Sequence, residues 1–162
     1  MKFLLPLFAF FSLSSFAQDS VSNVRAILTE ADSVIIMRHE TLLVPGKPGR
    51  ASTKKEIIID GKPNYAIILE LHKLDHKSID SLAFILTKES NDDITIMNCF
   101  VPHHTIYIFK NETLSYFDLC FGCHRFSKSK DIKLGGHELT NEIWIALESF
   151  FVRRKIERVK PY

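Results

Sequence analysis

The sequence predicts an α+β fold: a mostly antiparallel sheet with a central hairpin and helices packed on one face. Three observations carry this. Short apolar runs of strand length recur along the chain. A two-residue polar turn, Asn111-Glu112, folds two of them into a hairpin over about 103–121. Stretches with apolar residues at helical spacing lie on both sides of that hairpin, the last forming a long C-terminal helix.

From the beginning, residues 1–17 read as a cleavable signal peptide. Lys2 supplies the positive charge, 3–11 are almost wholly apolar, and Ser15 and Ala17 are the small residues before the cut. The apolar segment is shorter than the roughly 20 residues a membrane span needs. The mature chain then begins near Gln18, no transmembrane segment follows, and 18–162 form a single domain with a core large enough to stabilise itself. The reading is an exported protein, periplasmic or secreted.

Residues 19–31 fit a short helix with Val21, Val24, Ile27 and Leu28 on one side. A strand follows at 34–37, then a loop broken by Pro45, Gly46, Pro48 and Gly49. Strands at 57–59 and 65–71 flank the Asp60-Gly61 turn. Asp75 caps a helix through about Lys88, with Ile79, Leu82, Ile85 and Leu86 as its buried stripe. Another strand is expected at 94–97. In the hairpin, the turn length fixes the register by counting. Ile108 then faces Ser115, Ile106 faces Phe117 and His104 faces Leu119. On the other side of the sheet Phe109 meets Leu114, Tyr107 meets Tyr116, Thr105 meets Asp118 and His103 meets Cys120. The last helix runs from about Thr140 to Lys155, where Leu139, Ile143, Leu147, Phe150 and Phe151 share one face with Trp144 as core.

Net charge is +2 with both signs mixed, which gives no electrostatic case for nucleic acid. Arg153, Arg154, Lys155, Arg158 and Lys160 read as a solvated helix end that complements the helix dipole. No G-x-S-x-G, H-E-x-x-H or Walker pattern occurs, and no catalytic residue is assigned. Asn111-Glu112-Thr113 fits a glycosylation sequon but falls at the turn and reads as turn chemistry.

Three cysteines, Cys99, Cys120 and Cys123, leave an odd thiol in a compartment where thiols pair. The hairpin register gathers Cys99, His103, His104, Cys120, Cys123 and His124 at one end. Several chemistries fit that cluster. The structural one is a disulfide, within Cys120–Cys123 or from Cys99 to either. A closed zinc site would take Cys99, His103, Cys120 and Cys123 as ligands. Cys120-Phe121-Gly122-Cys123-His124 also matches the C-x-x-C-H attachment motif of c-type cytochromes. Haem would then be held by thioethers at Cys120 and Cys123 and ligated by His124, with Met97, His103, His104 or His137 opposite. In that family the motif lies on a helix, whereas here it closes a strand. A thiol oxidoreductase would use the same C-x-x-C pair, but no helical periodicity follows it to lower a cysteine pKa.

The run Cys99-Phe-Val-Pro-His-His, the hairpin, then Asp118-Leu-Cys-Phe-Gly-Cys and a Leu/Phe-rich terminal helix resemble a group of small exported bacterial proteins. These share a C-x-x-P-[RH]-H segment, a hairpin and a C-F-x-C segment. The resemblance covers about 94–155 and implies export but no activity. The two readings are therefore an exported protein of unassigned activity with a structural Cys/His cluster, and a redox or haem-c protein using Cys120, Cys123 and His124.

Overall fold

The computed structural model describes residues 22–44, 53–136 and 138–157. The signal peptide with its cut near Gln18, Val21, the breakers 45–49, His137, Arg158 and Lys160 lie outside them. The elements in chain order are α1 (Val24–Thr29), β1 (Ser33–His39), β2 (Leu43–Val44), β3 (Thr53–Lys54), β4 (Ile58–Ile59), β5 (Lys62–Pro63), a 3₁₀ turn (Tyr65–Ile67), β6 (Ile68–Lys73), α2 (His76–Leu86), β7 (His104–Lys110), β8 (Thr113–Cys120), β9 (Arg125–Lys128) and α3 (Asn141–Val152). Five strands form one sheet in the order β6-β1-β7-β8-β9, antiparallel at every pairing. β2-β3 and β4-β5 form two small ribbons.

The α+β architecture expected from the sequence is the one observed. The β7–β8 register pairs His104 with Leu119, Thr105 with Asp118, Ile106 with Phe117, Tyr107 with Tyr116, Ile108 with Ser115 and Phe109 with Leu114. Asn111 and Glu112 both have positive φ (47° and 63°), the backbone that a two-residue hairpin turn requires.

Side chains alternate across a strand, so each face of the sheet is built by every second residue. Val34 and Ile36 of β1, Ile106 and Ile108 of β7, and Phe117 and Leu119 of β8 form one face. They pack against Val24 and Leu28 of α1, Leu82 and Leu86 of α2, and Ile143, Leu147, Phe150 and Phe151 of α3. Each such fully buried side chain contributes about 1.5–3 kcal/mol of transfer free energy. The opposite face is also closed: Met37, Thr105 and Tyr107 are buried there, and the Tyr107 hydroxyl donates to the Ile57 carbonyl at 2.5 Å. The chain around Ile57, between β1 and β6, therefore lies over the side of the sheet that the helices leave open.

Several expected elements differ. No strand forms at 94–97; Ile94, Ile96 and Met97 are 44%, 62% and 55% exposed. The place beside β8 is taken by β9, whose Asp118↔Ser127 and Cys120↔Arg125 pairs complete that edge. The strand expected from Tyr65 begins at Ile68, because Asn64 accepts from the Ala66 amide at 3.2 Å and starts a 3₁₀ turn instead. Ile58–Ile59 pairs across Asp60-Gly61 with Lys62–Pro63. Asp75 caps α2 as expected, accepting from the Ser78 amide at 2.8 Å.

Candidate functional site

At the far end of the hairpin, Cys120 closes β8 and is joined to Cys123 by a disulfide with Cα atoms 5.5 Å apart. A turn connects them, its Cys123 amide donating to the Cys120 carbonyl at 3.3 Å. Phe121 within that turn points into the core. Its ring meets His104 at 4.8 Å, Phe151 at 5.3 Å and Trp144 at 6.0 Å. Both half-cystines are buried, Cys120 6% and Cys123 0% exposed. The next residue, His124, has φ 50°, and its ring stacks on Trp144 at 5.5 Å while Nδ1 faces the Asn141 side-chain oxygen at 3.2 Å.

The candidate ligands are thereby divided. Cys120 and Cys123 have no thiolate to offer a metal in the disulfide form, and Cys99 is free and exposed. The Met97 amide, two residues before Cys99, donates to the Cys123 carbonyl at 3.1 Å, so that segment does run beside the disulfide turn. The His103 ring stacks on that of His39, and the β7–β8 ladder ends at His104↔Leu119 without the expected His103–Cys120 pair. Among the described residues no group of three or more His, Cys, Asp or Glu is placed to hold a metal ion. The same disulfide occupies the two sulfurs that thioether bonds to haem would need. His124, the expected iron ligand, stacks on an indole.

His103 and His104 follow one another and so face opposite sides of the sheet. His104 is 3% exposed among Phe121 and Phe151, and its Nε2 donates to the Glu157 carbonyl at 2.9 Å. Burial disfavours the imidazolium there and pulls its pKa down to about 4. His103 is less enclosed; burial also lowers its pKa, opposed chiefly by a hydrogen bond with the His39 backbone.

On the face with His103 stands a polar group that the sequence reading did not assemble. His39, at the end of β1, is 0% exposed and Asp118 is 3% exposed. The His39 ring faces Asp118 Oδ1 with Nε2 at 3.2 Å and the Glu40 carbonyl with Nδ1 at 2.7 Å. The Thr105 hydroxyl donates to the same Asp118 oxygen at 3.1 Å. The His39 and His103 rings stack with centroids 6.2 Å apart. The counted register already set Thr105 opposite Asp118. A buried carboxylate needs a charged or hydrogen-bonding partner, and that need was the available signal. His39 was missed because the expected strand stopped at Met37.

The fold and site define a class in structural terms: an antiparallel α+β domain with a disulfide closing the end of its hairpin. Comparison with protein-family models, with curated proteins and with solved structures finds no match.

Proposed function

We propose that the chain is an exported protein whose Cys120–Cys123 disulfide is structural, and that it acts without catalysis through its cysteines. The observation that carries this reading is the burial of both half-cystines in a turn whose Phe121 enters the core. A dithiol oxidoreductase needs an accessible sulfur, activated by a helix N-terminus or a neighbouring cation. Here the residues after Cys123 enter β9 rather than a helix. A buried disulfide suits the oxidising compartment to which a signal peptide over residues 1–17 would send the chain. The likeness to small exported bacterial proteins with the C-x-x-P-[RH]-H and C-F-x-C segments belongs to the same reading.

The test is thiol counting on protein expressed with its own leader. One thiol, Cys99, should react in the native state and still only one in denaturant, rising to three after reduction. The N-terminus of the periplasmic or secreted product should be Gln18. Three reactive thiols without reductant, bound zinc, a haem absorption band or catalysed reduction of insulin would each overturn the proposal.

A further inference from the structure

We infer that His39 is a buried imidazolium, and that its ion pair with Asp118 is a latch fixing where the chain leaves β1. The geometry of the ring carries this. A carbonyl oxygen can only accept, so the 2.7 Å approach of Nδ1 to the Glu40 carbonyl places a hydrogen on Nδ1. A neutral imidazole has a single N–H. Nε2 would then turn a lone pair toward Asp118 Oδ1, 3.2 Å away, an oxygen that already accepts from Thr105. Two lone pairs facing each other away from water repel. One further proton between Nε2 and the carboxylate removes the conflict. It also makes the pair neutral overall, where a lone carboxylate would be buried without a counter-charge.

The other ionisable groups around the ring are engaged elsewhere or uncharged in effect. Arg38, the preceding residue, binds Glu70 of β6 at 2.7 Å. Glu40, the following residue, pairs with Lys55 from the covering segment. His103 of the segment entering β7 is pushed toward its neutral form by burial. Asp118 of β8 is left as the counter-charge. The ring also sits where the β1–β6 register shifts, between Arg38 and His39. There the His39 amide donates to the His103 carbonyl and the Glu40 amide to the Ile67 carbonyl, each at 2.9 Å. One side chain thus ties the end of β1, the first residue beyond it and β8 together.

Nitrogen-15 NMR of histidine-labelled protein at pH 7.5 tests this, because an exposed histidine is mostly neutral there. Both ring nitrogens of His39 should report as protonated, with hydrogens slow to exchange. In Asp118→Asn the amide can donate to Nε2, so His39 should carry a proton on Nδ1 alone. Both ring contacts then lose their charge assistance, so exchange of the Glu40 amide should accelerate roughly tenfold, the difference between a charge-assisted and a neutral hydrogen bond. A wild-type spectrum with a single protonated nitrogen on His39 overturns the imidazolium, and that reading requires no variant to fold. Unchanged Glu40 exchange in folded Asp118→Asn overturns the latch.

Discussion

Neighbouring side chains on β7 sit in different media, and His104 shows the energetic consequence. Its ring is sealed by Phe121 and Phe151 and spends its Nε2 hydrogen on the Glu157 carbonyl. The folded chain protonates it only near pH 4, the unfolded chain near 6.5. Between those values the unfolded state binds more protons, so stability is full above pH 6.5 and falls as pH is lowered. The loss amounts to about 3 kcal/mol by pH 4. Urea unfolding of the native chain and of His104→Phe across this range should show the steeper decline in the native chain; equal slopes would assign the acid sensitivity elsewhere. The position of His104 opposite Leu119 was legible by counting from the turn. Which face of the hairpin meets the helices was not read from the sequence; Leu119 and His104 lie on that one. His39 was not legible in this way, because its partner Asp118 is 79 positions away and nothing local couples them.

Helix α3 shows how a boundary read correctly can rest on different chemistry. Thr140 occupies the N-cap position, yet its hydroxyl makes no cap bond and is buried without a partner. The cap comes from outside the helix. Asp92 Oδ2 accepts from the Glu142 amide at 2.8 Å, and the Asn141 side chain exchanges hydrogen bonds with Thr95 at 3.1 and 3.2 Å. Thr140→Val should therefore leave thermal stability unchanged or raise it by up to about 1 kcal/mol, since it removes an unsatisfied hydroxyl. Asp92→Ala should cost about 1 kcal/mol, the usual worth of an N-cap. The reverse order in a melting experiment would restore Thr140 as the cap. The same segment explains the strand expected at 94–97 and not formed. Ile94 and Ile96 have strand propensity, but the segment is spent on capping α3 and bonding the Cys123 carbonyl. Propensity is only a weak prior where tertiary contacts compete. β9 went unread for the opposite reason: Arg125, Phe126, Ser127 and Lys128 offer one large apolar residue and no alternation to detect.

For the molecule as a whole, the fold was legible because its central hairpin has a two-residue turn and strongly patterned strands. The site was legible only as a choice among chemistries, because spacing alone does not say which sulfurs meet. Cys120–Cys123 closes a very short loop, so the chain-entropy gain from the bond is small, about 2 kcal/mol. Reduction should lower the unfolding free energy by about that amount and leave the circular dichroism of the folded state intact; collapse of the fold on reduction would contradict this. The strand order has a wider consequence. β1 lies between β6 and β7, with Ile36 beside His72 on one edge and Val34 beside Ile108 on the other. A polypeptide delivered N-terminus first presents this middle strand long before either flank arrives. Its β7-facing edge stays bonded to water until the hairpin emerges, so no leading fragment ending before β7 can complete the sheet. Completion of the sheet therefore depends on the C-terminal half of the chain.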